Sequence, residues 1–345
     1  MNPTAIRLLS QQLAAPQFDS PAEVVSHMGA MQAQEYRQMR WAVAMRTKKP
    51  SYEAFRKDFD EGRIIRLHLL RGTWQIVSGD DYWWMLGLCR EKAEKVIRGW
   101  MSANRISLSD KELAEMHDLI CATTERIGSA SKEDYAETLR QKGIEMDDHR
   151  LSYHIRFNEL NGTLCSGNLE PMKATYSLSG SKVPHSQDID RDEALMLLAR
   201  KYFQSHSPAT LEDYVWWSGL NIGDCRRGIE LLGGELHGEK WKGYNFFVHE
   251  SCRMKEIRKG DTLLLPAYDE YLIGYKSREL ALAPDQAHHA HSKNGIFYPV
   301  IAVDGKICGN WSAFKKNPEA VFFEEGASPN NIEKLWEQYQ RAKKK

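Results

Sequence analysis

The pattern that most constrains the fold is a unit that occurs three times: a Ser or Thr helix cap, two helical segments, and a β-rich stretch with Gly or Asn-Gly turns. The three caps are Ser20–Glu23, Ser131–Asp134 and Thr210–Asp213. In each, a hydroxyl residue is followed three positions later by an acidic residue, and this pairing satisfies free backbone N–H groups at a helix start. The repeat therefore predicts three small modules with the same order of elements.

Short β segments with turn signals follow each pair of helical segments. We predict a strand pair in Leu67–Val77 turning at Arg71-Gly72, a strand at Thr163–Ser166 after Asn161-Gly162, and a hairpin bracketed by Gly238 and Gly243. Two helices followed by a two-stranded wing are typical of the winged helix-turn-helix, whose second helix fits the DNA major groove. Winged helices also act as scaffolds, so this pattern leaves the function open.

The last part of the chain follows a different pattern. Short β segments are predicted at Leu263–Leu265, Tyr271–Tyr275 and Pro299–Trp311, the last with an Asp304-Gly305 turn. A final helix opened by Ser328-Pro329 carries Ile332, Leu335, Trp336 and Tyr339 on one face. A chain of 345 residues is long enough for several cores, and we predict modules at 1–100, 101–187, 188–258 and 259–345.

The charge is unevenly distributed, although 47 Lys and Arg balance 47 Asp and Glu. From Met1 to Arg105 there are 16 basic and 11 acidic residues, which leaves 31 and 36 for the remainder. Basic residues concentrate between Arg37 and Arg71. A typical nucleic-acid-binding protein has a positive net charge, whereas the net charge here is zero. A run of charged residues is also often the solvated face of a helix. If phosphates are bound, this stretch is the candidate.

Cysteine usage and the amino terminus indicate the compartment. The six cysteines form no C-x-x-C pair, which fits a reducing compartment and argues against a zinc finger. The amino terminus has no apolar run typical of a signal peptide or membrane span. His288, His289 and His291 form a His-rich tract without further ligands at suitable spacing. We expect a cytoplasmic protein that uses no metal or cofactor.

Four groups of residues, in order along the chain, carry a family resemblance. They are Met31–Gln34 with Arg40–Val43, Arg46, Arg66 and Arg71–Thr73; Ser207–Asp213 with Trp216–Leu220; Leu264–Tyr271; and Val303–Gly305 with Gly309 and Trp311. Together they resemble the bacterial AlkZ/YcaQ-type DNA glycosylase superfamily. The resemblance implies a mainly α, α+β fold: three tandem winged helices forming a C-shaped DNA cradle, plus a barrel-like C-terminal β module.

The resemblance also implies site residues. The family's alkylpurine glycosylases carry a Gln-apolar-Gln or Gln-apolar-Asp motif where this chain has Gln32 and Gln34, which makes these two the candidate catalytic residues. The candidate DNA-binding residues are Arg37, Arg40, Arg66, Arg71 and Thr73. One position departs from the family: Gln75 stands where a histidine is expected in the first wing, so the role of that histidine is not carried over.

Two amides are sufficient for one class of base removal. An N7- or N3-alkylated purine is already cationic, so its departure requires no general acid. The enzyme then needs to hold a water and to direct carbonyl dipoles at the developing sugar cation, and amides supply both acceptors and donors. Residues two apart reach one site only on extended or turning chain, so we predict the motif between two helices. The prediction is a monofunctional glycosylase acting on cationic alkylpurines in duplex DNA.

Other interpretations remain open. A non-catalytic winged-helix transcriptional regulator would usually bind as a dimer, whereas three modules can bind DNA as a monomer, which we expect here. A protein-binding scaffold is a third possibility. Among neighbouring features, we expect Glu35 to place an anion near the N-terminus of the following helix. Trp83-Trp84 and Trp216-Trp217 are more typical of core than of base stacking, and we assign Asp269–Tyr271 no catalytic role.

Overall fold

The chain folds into two units, each described here by itself. The computed structural model describes residues 2–185, 188–312, 314, 319–324, 329 and 331–344. The first unit combines Met1–Phe55 with Leu195–Lys345, and the second is Arg56–Ala194. The four-module division predicted from the sequence remains a prediction.

The first unit begins with helices and one short strand. These are α1 (Pro3–Ser10), α2 (Pro21–Met28), β1 (Ala30–Gln32), α3 (Met39–Ala44) and α4 (Tyr52–Asp60), the last of which continues past Phe55 into the second unit. The capping box predicted for α2 is confirmed: the Ser20 side chain accepts from the backbone N–H of Glu23, and the Glu23 carboxylate accepts from that of Ser20.

The second unit is built around a long helix and two small antiparallel sheets. Its elements are β2 (Ile64–His68), β3 (Trp74–Ser78), α5 (Tyr82–Ala103), α6 (Asp110–Ile127), β4 (Ala130–Ser131), α7 (Lys132–Gln141), α8 (Asp148–Leu160), β5 (Leu164–Ser166), β6 (Thr175–Leu178) and α9 (Ser179–Lys182). Strands β2 and β3 pair antiparallel with Leu67 opposite Gln75, and the other sheet has the order β4-β6-β5.

The turn between β2 and β3 packs on α5. A Cβ added to Gly72, whose φ is 69°, would lie 3.0 Å from Val96 Cγ1 and 3.4 Å from the Trp100 ring. Leu70 and Gly72 are buried, while Arg71 is partly exposed. The turn therefore occurs where the sequence predicts it, but it lies against a helix.

The chain then returns to the first unit. Its elements are α10 (Arg191–His206), α11 (Leu211–Ser218), α12 (Ile222–Leu232), β7 (Leu236–Trp241), β8 (Tyr244–His249), β9 (Thr262–Leu265), α13 (Glu270–Ile273), α14 (Ala287–Ala290), β10 (Val300–Val303), β11 (Lys306–Trp311), β12 (Ala320–Phe322) and α15 (Ile332–Lys344). The boundary between the units lies inside α10, before Leu195.

A four-stranded antiparallel sheet, ordered β12-β11-β10-β9, forms the core of the first unit. Val300 and Ala302 pack in one apolar cluster with Leu8 of α1, whereas Ile301 packs in another with Trp41 of α3. Alternate residues of β10 thus contact helices on opposite faces of the sheet, as the pleat requires. In the described residues the sheet is open, so a barrel-like closure is not confirmed.

Two local predictions are wrong. Tyr271–Tyr275 was expected as a strand, but Glu270–Ile273 forms α13, because the Asp269 side chain accepts from the backbone N–H of Tyr271 and caps a helical turn. This turn is buried on all sides, and an apolar run of that kind has no distinguishing periodicity. The Gly238–Gly243 hairpin exists, but Gly238 lies inside β7 and the turn is at Lys242-Gly243.

The order of elements confirms the coarse fold prediction. Helices are followed by an antiparallel strand pair three times, at β2–β3, β5–β6 and β7–β8. The capping boxes at Ser131 and Thr210 are present, and Trp336 and Tyr339 of α15 are buried as predicted. Ser328 of the predicted helix opening lies outside the described residues. Within the described parts of the chain, no helix has the length and apolar character needed to cross a membrane.

Candidate active site

The Gln32-Ala33-Gln34 motif leaves β1 and enters the turn that precedes α3. Gln32 is the last residue of β1, and Gln34 lies in a bend. The predicted location, on extended and turning chain between two helices, is confirmed. Gln32 is 5% exposed, whereas Gln34 is exposed.

The carboxylate of Glu270 lies behind Gln32. Glu270 Oε1 accepts a 2.6 Å hydrogen bond from the Gln32 backbone N–H. Its other oxygen, Oε2, accepts one of 3.2 Å from Trp217 Nε1 and lies 3.3 Å from His206 Nε2. Glu270 is 1% exposed, so its carboxylate is satisfied by protein groups in a buried position.

The loop that carries Glu270 also contacts the far end of the motif segment. The backbone N–H of Ala267 donates to Oε1 of Gln38, the buried residue at the start of α3, over 2.8 Å. Between these contacts, Tyr268 has a φ of 58°, a left-handed conformation that costs a non-glycine residue about 1–2 kcal/mol. The hydrogen bonds on either side hold this strained residue in place.

A buried ion pair fixes the same loop to the chain that follows α3. Arg46 donates to both oxygens of Asp269, over 2.9 Å and 2.8 Å, and its side chain is 0% exposed. Arg46 also donates to the Gln11 side chain and to the Ala42 carbonyl. Arg46 was counted within the basic stretch from Arg37 to Arg71, but it is a structural residue.

His206 completes the polar group around Glu270. Burial lowers the pKa of the His206 imidazole, and the contact with Glu270 opposes this shift only in part. A neutral ring with its proton on Nε2 donates to Glu270, and Nδ1 lies 2.7 Å from the Ser205 hydroxyl oxygen. The space around the ring is filled, since a Cβ at Gly274 would lie 2.8 Å from His206 Cδ2.

The polar residues after the motif face one another on the surface. Glu35 Oε1 accepts from the backbone N–H of Arg37 over 3.2 Å and lies 3.5 Å from Arg37 Nε. The Arg37 guanidinium lies 3.8 Å from the Phe314 ring centroid, and its side chain is 40% exposed. Arg40, on α3, lies 5.5 Å from the Tyr36 ring centroid. Glu35 therefore lies in the turn before α3, as expected, with Arg37 as its ionic neighbour.

The other predicted DNA-binding residues belong to the second unit. Arg66 is 5% exposed, and its guanidinium lies 3.6 Å from the Trp74 ring centroid. The Thr73 hydroxyl donates to the Leu70 carbonyl and accepts from Gln75 Nε2, each over 3.0 Å, and its backbone N–H also donates to Leu70. Thr73 and Gln75 thus order the turn, and Arg71 is the partly exposed cation.

The remaining aromatic and histidine candidates have structural contacts. Trp217 is 1% exposed, and Trp83 stacks on His185 at 4.1 Å. The rings of His288 and His289 lie 3.8 Å apart. Among the described residues, no group of three or more His, Cys, Asp or Glu side chains is placed to hold a metal ion.

Sequence reasoning missed the residues behind the motif. Asp269 and Glu270 were noted but given no role, and His206 was not singled out. One signal was present, since two carboxylates lie between apolar residues in Leu263–Ile273, and charged residues in such a run need buried partners. Two of their partners, Gln32 and Arg46, lie more than 200 residues away in sequence, and periodicity does not reveal such contacts.

Comparison with known proteins decides the family. The family model described as DNA glycosylase AlkZ-like matches residues 25–322. The chain belongs to the AlkZ-like DNA glycosylase family. It is 22% identical, over 89% of its length and 86% of the relative's, to an interstrand DNA cross-link repair glycosylase from Streptomyces sahachiroi.

A solved structure of the family shows the same fold. The DNA glycosylase AlkZ of Streptomyces sahachiroi matches with a TM-score of 0.77 and 21% identity, over 99% of this chain and 95% of the other. The AlkZ-like fold therefore extends over nearly the whole chain, including both parts that form the candidate site.

The helix that leads into the motif has a titratable contact. His27, in the last turn of α2, donates from Nε2 to the Ser10 carbonyl over 2.7 Å. Burial, together with nearby Lys201 and Arg253, lowers its pKa from 6.5 to about 4. The folded state thus favours the neutral ring, so this contribution to stability is complete above pH 6.5 and is lost as the pH falls toward about 4.

Between about pH 7 and pH 5, we predict that the free energy of unfolding falls further in the wild-type protein than in His27→Gln. The extra loss in the wild-type protein is at most about 2 kcal/mol. Glutamine retains a donor for Ser10 but does not titrate. Urea unfolding of both proteins at the two pH values measures the difference. Parallel losses in the two proteins would show that His27 does not titrate in this range.

Proposed function

We propose that this chain is a monofunctional DNA glycosylase that hydrolyses the N-glycosidic bond of cationic alkylpurines in duplex DNA, with Gln32 and Gln34 as its catalytic residues. The observation that carries the proposal is the motif itself: Gln32 is held at the end of a strand and Gln34 is exposed two residues later. Family membership supports base removal from DNA. The name of the Streptomyces relative, a cross-link repair glycosylase, is compatible with alkylated purines as substrates.

The fold supports the binding of DNA by repeated modules. We infer that the three recurrences of helices followed by an antiparallel strand pair are winged helices, which together bind duplex DNA as a monomer. In this proposed arrangement the C-terminal sheet acts as support, because it holds α3, directly after the motif, through the 2.7 Å hydrogen bond from Trp41 Nε1 to the Leu264 carbonyl.

The proposed chemistry requires dipoles and a positioned water. As the cationic base departs, positive charge develops on the sugar, and amide oxygens fixed near it stabilise this charge without reorganising. Gln32 ends β1 and Gln34 lies in the bend that follows, and we propose that both amides reach one substrate from this turning chain. The leaving base takes up the bonding electrons and loses its charge, while water adds to the sugar cation as a hydroxyl group and releases its second proton to the solvent.

We predict that Gln32→Ala and Gln34→Ala each lower the single-turnover release of N7-methylguanine by roughly 10²- to 10³-fold. Alanine at position 32 keeps the backbone N–H that donates to Glu270, so this variant removes only the amide side chain. Abasic sites formed in a duplex with one N7-methylguanine measure the rate. Gln17→Ala, at an exposed glutamine in the same unit, is the matched control and should leave the rate unchanged.

Thermal unfolding completes this test. Gln34→Ala should stay within roughly 0.5 kcal/mol of wild type, as expected for a surface change. Full activity in both alanine variants would remove the motif from the reaction. Binding of alkylated DNA without release of any base by the wild-type protein would favour the alternative function, a non-catalytic winged-helix regulator.

We further propose that phosphate contacts come from Arg37, Arg40 and Arg71. Arg37 and Arg71 retain exposed surface, and arginine contacts with phosphates provide most of the salt-dependent affinity of such proteins. Arg66 and Thr73 are proposed to act through the turn rather than by direct contact, because Arg66 is buried against Trp74 and both donors of Thr73 are used internally.

We predict that Arg37→Ala with Arg71→Asn flattens the salt dependence of duplex binding by up to about two units of slope. Asparagine suits position 71 because it tolerates the left-handed backbone found there, with φ 56°. Arg66→Ala is the comparison and should lower stability while leaving the slope unchanged. Fluorescence anisotropy over a salt series measures the slope. Equal slopes for wild type and the double variant would place both arginines outside the interface.

A further inference from the structure

Glu270 accepts hydrogen bonds on both oxygens in a buried position. Two of its donors, the Gln32 backbone N–H and the Trp217 indole N–H, can only donate, and they face different oxygens. His206 Nε2 lies 3.3 Å from Oε2, and burial lowers the pKa of that imidazole, which favours the neutral ring. The carboxylate is thus held mainly by neutral donors.

Such an arrangement is costly, because a buried carboxylate loses its hydration and a full opposite charge is the usual compensation. Helix α13 does not require Glu270, since Asp269 already caps it. The Glu270 carboxylate instead joins residues of α10 and α11 to the end of β1. Its shortest contact, 2.6 Å, is with the backbone of the motif.

The same loop holds the other end of the motif segment. Ala267 donates to Gln38 Oε1, and Glu270 accepts from Gln32, so residues 32 and 38 are both fixed to one four-residue stretch. This stretch is itself fixed by the two hydrogen bonds between Arg46 and Asp269. Gln34, which is exposed, lies between the two contacts.

We propose that Glu270 is a positioning residue: its carboxylate fixes the backbone of Gln32, and through it the Gln32 amide, in the orientation required for base release. The proposal rests on the function proposed above. Displacement of a reacting group by about 1 Å can cost about 10²-fold in rate, so loss of this contact should slow the chemical step. Glu270 is 1% exposed, and it acts without touching the substrate.

Two substitutions at Glu270 distinguish the effect of the side chain's length from the effect of its charge. Glu270→Gln retains the shape, but its NH2 group must face one of the two obligate donors. Glu270→Asp retains the charge but withdraws it from Gln32 by one methylene. Asp213→Asn is the matched control, because Asp213 is a fully buried carboxylate of the same unit that accepts from Thr210, Lys276 and Ser277 instead of the motif.

We expect Glu270→Gln and Glu270→Asp each to slow single-turnover release of N7-methylguanine by about 10- to 100-fold, with duplex affinity unchanged. Asp213→Asn should unfold at lower temperature yet retain the rate of the wild-type protein. Because Glu270 acts through Gln32, adding Glu270→Gln to Gln32→Ala should cause little further loss of rate.

Amide hydrogen exchange at Gln32 provides a readout that does not depend on activity. Protection of the Gln32 N–H should fall in Glu270→Asp, which withdraws the acceptor, and persist in Asp213→Asn. If wild type releases no base, the proposed function fails, and this exchange measurement alone decides whether Glu270 positions the motif. Unchanged exchange at Gln32 in Glu270→Asp, or an equal slowing by Glu270→Gln in the wild-type and Gln32→Ala backgrounds, would overturn the proposal.

Discussion

The buried ion pair between Arg46 and Asp269 is the interaction on which the rest of the candidate site depends. Neither side chain is more than 1% exposed, and the two hydrogen bonds between them are 2.8 Å and 2.9 Å long. Removing one partner of such a pair typically costs about 3–5 kcal/mol, because the other charge stays buried without compensation. The pair therefore fixes the loop after β9 to the chain after α3, which places Ala267 and Glu270 beside the two ends of the motif segment.

In this arrangement the buried charged side chains are different residues from the proposed catalytic ones. Full charges lie behind the motif, where they hold backbone, while the residues proposed to face the substrate are neutral amides. A fixed dipole stabilises a developing cation without forming an ion pair with the substrate beforehand, and it requires no proton transfer. The separation suits a leaving group that brings its own positive charge, and it gives a physical reason for a Gln-x-Gln motif where most enzymes that cleave glycosidic bonds use carboxylates.

Local signals in the sequence were sufficient for the helix starts and turns. These signals depend on residues within three positions of each other. Four of them are confirmed: the capping boxes at Ser20, Ser131 and Thr210 and the Asp304-Gly305 turn. The site could be predicted only as far as the motif and its place between helices. The partners of Glu270 lie on α11, on α10 and at the end of β1, so no local pattern revealed them. Arg46 and Arg66 show the same limit, since a basic stretch in sequence does not distinguish a buried guanidinium from one available to phosphate.

The central claim is that two positioned amides remove a base because the base is already cationic. The most direct test compares wild-type protein on two duplexes that differ in one base, N7-methylguanine in one and neutral hypoxanthine in the other, scored as abasic sites cleaved by alkali. A neutral base needs a general acid, whose contribution is typically about 10²- to 10⁴-fold, and none is assigned beside the motif. We expect release of N7-methylguanine and negligible release of hypoxanthine. Comparable release of the two bases would contradict the mechanism.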